Sequence, residues 1–135
     1  MKKIIYILVA IILIAASAYY YTFVYSKSHH RNAQEETALV ISSDSLVATY
    51  QVNETNANKA YLNKAVEVTG TIIAINKDQA NHTNILIGKS DAFSNVSVTL
   101  LSTGPIQNKA GEVITIKGVC TGNLSDVIIT DGVIK

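Results

Sequence analysis

From Ile4 to Tyr25 the chain runs for 22 residues interrupted only by Ser17 and Thr22 among apolar and aromatic side chains. A helix of that length rises about 33 Å, enough to cross a hydrocarbon core of about 30 Å. Residues 4–25 are therefore expected to contact a lipid bilayer as a transmembrane helix and to contribute nothing to a globular core. The run is rich in Ile and Leu as far as Ala16, and its far end carries Tyr19, Tyr20, Tyr21, Phe23 and Tyr25. Aromatic rings concentrated at one end match the belt that forms at lipid headgroups. Lys2 and Lys3 precede the run, and Lys27 and Arg31 follow it.

A cleaved secretory signal is the competing reading, with Ala16-Ser17-Ala18 as the small-residue cleavage pattern. Against it, hydrophobicity continues past that motif and stops at basic residues. No cysteine follows the apolar core at the position a lipid-attached N-terminus requires. The basic flanks nearly balance, but the very short N-terminal tail is that of a signal-anchor. The expected arrangement is one pass through the inner membrane, with the domain on the extracytoplasmic side.

The chain then divides into an anchor with its basic flank over 1–31, a polar juxtamembrane linker over 32–42, and a domain over 43–135. About a hundred residues suffice for one modest core. From Asn32 onward there are seven Lys and no Arg against ten Asp and Glu, a net of −3. That balance argues against a phosphate-binding surface. Cys120 is the sole cysteine, so no intramolecular disulfide can form, and its apolar context after Val119 reads as a buried thiol.

Ser42-Ser43-Asp44 can cap a helix starting near Ser45, with Leu46, Val47 and Tyr50 on its apolar side. A second helix is predicted over 54–62, capped by Asn53, with Ala57, Ala60 and Tyr61 at helical spacing. From Ala65 the period becomes two: Val66, Val68, Gly70 and Ile72 share one face, Glu67, Thr69 and Thr71 the other. After Ile72 the apolar phase slips to Ile73 and Ile75, as a β-bulge near a glycine would cause. Four further strands are predicted over 84–88, 96–101, 112–121 and 127–134, joined by turn-rich segments such as Thr103-Gly104-Pro105 and Gly122-Asn123. Five short strands with a bent first one, preceded by short helices, define a mainly β fold: an OB-like five-stranded barrel. Gly70 and Gly118 are expected where that barrel bends or packs closely.

Two ordered blocks resemble a known family. Asn53-Glu54, Ala57-Asn58, Tyr61-Leu62, Lys64 and Val66-Glu67-Val68-Thr69-Gly70 are similar to the opening signature of the tRNA_anti-like OB-fold family. Gly111 through Gly118, Cys120-Thr121-Gly122 and Asp126-Val127 are similar to its closing signature. The resemblance covers roughly residues 43–134. It implies an OB fold and, in bacterial members, an N-terminal membrane segment whose flank is like Tyr25-Ser26-Lys27-Ser28-His29-His30-Arg31-Asn32. Relatives tend to carry a second cysteine in the last strand, where this chain has Thr130-Asp131-Gly132-Val133. The family supplies no catalytic residue to carry over.

The family's name suggests nucleic acid, which OB domains hold with aromatic and basic residues on the second and third barrel strands. Those strands, Asn84-Ile85-Leu86-Ile87 and Val96-Ser97-Val98-Thr99-Leu100, have no aromatic and no charge, and only Lys89 and Phe93 lie between them. Catalysis fares no better, because no acid pair, nucleophile elbow or phosphate loop is present. His82 reads as a loop residue, and His29-His30 lacks the spacing and partners of a metal site. No cofactor, metal or catalytic residue is predicted. The remaining reading is a non-enzymatic module for an envelope protein or glycan, with Lys89, Phe93 and Thr99 as candidate contacts. A single-stranded nucleic-acid-binding OB domain is the alternative.

Overall fold

The computed structural model describes residues 2–25 and 34–135. They fall into two compact units, Met1–Asn32 and Ala33–Lys135. The basic flank with Lys27, Arg31 and the His29-His30 pair lies outside the described residues.

In the first unit, helix α1 (Lys2–Tyr20) passes into one π-helical turn over Tyr21–Tyr25. Every side chain from Ile5 to Phe23 is exposed, and this stretch is long and apolar enough to cross a membrane. The Thr22 hydroxyl faces the Ala18 carbonyl at 2.9 Å and the Tyr19 carbonyl at 3.2 Å, so the helix satisfies its own polar side chain. Tyr19 stacks on Phe23, one turn further along, with ring centroids 4.7 Å apart.

The second unit opens with a short strand, β1 (Leu39–Ser42), followed by helices α2 (Ser43–Val52) and α3 (Glu54–Tyr61). The Ser42 hydroxyl caps α2 by accepting from the Ser45 amide, and the Asn53 side chain caps α3 by accepting from the Asn56 amide at 3.0 Å. Asn53 also ends α2 by donating its own amide to Thr49. Asn63, at φ 58°, stops the helical run and donates to the Cys120 carbonyl at 2.7 Å. Asn53 is the cap expected for α3; of Ser42, Ser43 and Asp44 it is Ser42 that caps α2, which starts at Ser43, two residues before the expected Ser45. The strand β1 was not expected: the folded unit reaches back into the stretch read as linker.

Strands β2 (Ala65–Lys77), β3 (Thr83–Ile87), β4 (Val96–Leu100), β5 (Val113–Asn123) and β6 (Val127–Ile134) complete the sheet. Its order is β1-β2-β3-β4-β6-β5, and β5 returns to pair with β2, closing a five-stranded barrel. Strand β2 makes this possible because it is long and bent. Residues from Ala65 to Thr71 pair with β5 on one edge, and from Ile72 onward the opposite edge pairs with β3. The register shifts between Ile72 and Ala74, which puts the bulge at Ile73, where the apolar phase slips. Strand β1 runs parallel to β2 from Val66 to Thr69, covering the length of that edge that β3 does not reach.

The strands alternate as their sequences predict, with Ile85, Ile87, Val96, Val98, Ile116, Val127 and Ile129 inward. From α2, Leu46, Val47 and Tyr50 pack into the same core, and from α3 Ala57 does. A Cβ at Gly70 would sit 2.5 Å from Ile87 Cγ2 and closer still to the Ser43 hydroxyl. At Gly118 it would meet Ile129 Cγ2 at 2.6 Å and the Thr130 carbonyl at 2.7 Å. Both glycines therefore stand at close approaches.

Candidate ligand-binding face

The outward residues of β3 and β4 are set by alternation. With Ile85, Ile87, Val96 and Val98 buried, Asn84, Leu86, Ser97 and Thr99 turn out and are half-buried. Asn84 lies opposite Thr99, and Leu86 opposite Ser97. The Ser97 hydroxyl donates to Asn84 Oδ1 at 3.0 Å. The face is made of hydroxyls, a carboxamide and one leucine, with no charge and no ring. It can exchange hydrogen bonds with uncharged polar groups, and it supplies no positive charge to a phosphate.

The three candidate contacts do not converge. Thr99 stands on this face, three residues along β4 from Val96, or about 10 Å from the end where Lys89 and Phe93 lie. Lys89 turns toward α2 and pairs with Asp44 at 2.9 Å. The Asp44 carboxylate, by hydrogen bond and by charge, raises the Lys89 pKa above its ordinary value. Phe93 is 99% exposed and touches nothing that would orient it.

What holds the β3–β4 connection in shape is a polar link that the sequence reading did not identify. The Asn95 side chain accepts from the Lys89 amide at 3.0 Å, and the Asn95 amide donates to Asp126 Oδ1 at 2.7 Å. In return the Val127 amide donates to the Asn95 carbonyl at 2.9 Å. Gly88, at φ 149°, has no Cβ, and one built there would overlap the Asn95 carboxamide. The signal was present as a small echo: Ser94-Asn95-Val96 and Ser125-Asp126-Val127 are near-identical tripeptides. They open β4 and β6, which run parallel with Val96 opposite Val127.

His82 and Asp78 close the β2–β3 turn. The His82 amide donates to Asp78 Oδ1 at 2.8 Å, and its Nδ1 stands 3.3 Å from Oδ2. The amide bond is the main reason the Asp78 pKa falls below its ordinary value. This is a local turn lock with a structural task. Among the described residues, no three His, Cys, Asp or Glu side chains group so as to hold a metal ion. Cys120 is fully buried, with Sγ 3.3 Å from the Tyr50 hydroxyl.

A closed barrel of five strands, with helices packed on it from the N-terminal side and a polar outer face on β3–β4, defines an OB-like module. The tRNA_anti-like family model matches residues 1–132, and the chain belongs to that family. No curated protein matches it. Among solved structures it resembles a proposed nucleic acid-binding lipoprotein from Klebsiella pneumoniae, at 16% identity and a TM-score of 0.56. The match covers 73% of this chain and 92% of that one. At such identity the likeness concerns the fold.

Proposed function

We propose that the chain is a membrane-tethered OB-like binding module that works by non-covalent recognition, without catalysis. Its barrel stands on the extracytoplasmic side of the inner membrane, and its partner is an envelope protein or a glycan. The observation that carries this reading is the uncharged, ring-free outer face of β3–β4, with Asn84, Ser97 and Thr99 half-buried on it. Hydroxyls and carboxamides match the hydrogen-bonding groups of sugars and peptide backbones. The exposed apolar helix from Ile5 to Phe23 supports the tether.

A photo-crosslinking residue at position 99, activated in native membranes and followed by mass spectrometry, tests the face. The expected result is capture of one protein or glycan that is lost when the probe is moved to position 59. Absence of capture under several growth conditions would sink the proposal. Protease digestion of intact spheroplasts tests the orientation: the barrel should be degraded, and a protected barrel would put it in the cytoplasm.

A second reading, single-stranded nucleic-acid binding, has in its favour the description of the Klebsiella pneumoniae neighbour. Here Phe93 would stack on a base, with Lys89 near the backbone. Retardation of a single-stranded oligonucleotide at about 50 mM salt, abolished by Phe93→Ala, would replace the first reading with this one.

A further inference from the structure

Strands β4 and β6 run parallel, so they begin at one end of the barrel and finish at the other. Phe93 and Leu124 lie just before the two strands begin. Where the strands finish, a groove of about 370 Å³ opens between their ends and the segment that follows β4. Its walls are Leu100, Leu101, Pro105, Ile106, Val133 and Ile134, and no charged side chain lines it among the described residues. The apolar surface can be reached from solvent: Leu101 is 55% exposed, and Ile106, Val133 and Ile134 are half-buried. A space of this size falls in the range of small-ligand sites.

What the groove can hold follows from what its polar groups already do. The Leu101 amide donates to the Gly132 carbonyl at 2.9 Å, and the Gly104 amide to the Ser102 hydroxyl at 3.2 Å. Pro105 has no amide to give. A peptide or a sugar laid here would leave its own hydrogen-bonding groups poorly met, which costs free energy. A hydrocarbon chain carries no such groups, and it would take the walls at Leu101, Ile106, Val133 and Ile134 out of water.

The source of that hydrocarbon follows from where the chain enters the barrel unit. Gln34 belongs to the lining, and the Lys117 ammonium donates to the Gln34 carbonyl at 2.7 Å and to the Glu36 carbonyl, which fastens the entry beside the groove. The apolar helical run ends at Tyr25, nine peptide links before Gln34. Fully extended, that length spans about 32 Å at most. A helix seated in lipid therefore keeps the groove at a high effective concentration of acyl chains. We propose that the groove seats one acyl chain of a membrane lipid, held by Leu101, Ile106, Val133 and Ile134. The inference rests on the membrane tether and is independent of the β3–β4 face.

The test uses the full chain in phosphatidylcholine nanodiscs, with assigned methyl signals followed by NMR. The discs carry a lipid bearing a nitroxide either near the end of one acyl chain or on its headgroup. The acyl-chain nitroxide should broaden Leu101, Ile106 and Ile134 strongly and spare Leu124 at the opposite end of the barrel. Leu101→Asp, a change at an exposed side chain, should remove the broadening at Ile106 and Ile134. Ile11, in the apolar helix, should broaden in both proteins and reports the tether by itself. Groove signals that respond to the headgroup nitroxide alone, equal broadening at Leu124, or broadening that survives Leu101→Asp would each overturn the proposal. So would groove signals left untouched, as they would be if a protein partner were the occupant; Ile11 untouched as well would show that the tether has failed with it.

Discussion

Tyr50 shows how a single side chain can serve the core and still carry a polar group. Its ring packs among Leu46, Val47 and Ala57, and its hydroxyl finds Cys120 Sγ at 3.3 Å. Burial above all, then the contact with Cys120, raises the phenol pKa above its ordinary value near 10. The folded state therefore keeps its proton where the unfolded chain loses it. Stability from this source is complete below pH 10 and declines as pH rises further. Tyr50→Phe is expected to flatten the fall in urea midpoint between about pH 9 and 11, measured against the parent chain. An unchanged slope would mean the phenol ionises freely in the fold. The burial of Cys120 was legible from its apolar neighbours, but its partner was not. Tyr50 and Cys120 are 70 residues apart, and only the closed barrel brings α2 against β5.

The elements most exposed to error are those that depend on an unseen neighbour. The five barrel strands were readable because each alternates, and the caps at Ser42 and Asn53 because short polar side chains there have one local use. Strand β1 was not, since four residues beside a polar stretch carry too little periodicity, and its parallel partner lies 27 positions away, as Leu39 to Val66. The face built by β3 and β4 was readable as uncharged. The Asn95–Asp126 link was not, because parallel pairing of β4 with β6 cannot be deduced from either strand alone. The bend in β2 is the element on which closure turns. The backbone at Gly70 is not left-handed, so the constraint there is steric crowding from Ser43 and Ile87 and owes nothing to glycine's conformational freedom. Gly70→Val should cost about 1–3 kcal/mol through overpacking, read as a lower urea midpoint. An unchanged midpoint would contradict the register of β2 against β3.

For the whole molecule, two pieces of chemistry are kept apart by sequence. Residues 5–23 expose apolar side chains throughout, while the unit from Ala33 onward gathers most of its Ile, Val and Leu side chains into one core. Because β5 pairs with both β2 and β6, no barrel strand can leave without opening two ladders. The barrel is therefore expected to unfold as one cooperative unit, with coincident transitions by far-ultraviolet circular dichroism and by NMR signals assigned to Tyr50 and Tyr61. Separate midpoints would show that α2 and α3 detach first.

The ring closure between β2 and β5 also fixes an order of events during synthesis. When β2, β3 and β4 have left the ribosome, the edge of β2 from Ala65 to Thr71 still lacks its partner, which arrives more than forty residues later as Thr71 meets Val113. β4 likewise waits for β6. Pairings so distant along the chain form late, and a nascent barrel holds open edges in the meantime. Strand β1 is made before β2 and can occupy the other edge of that strand at once. The stretch of β2 from Val66 to Thr69 is then closed early on that side, and the open edge passes to β1, which pairs with no other strand among the described residues.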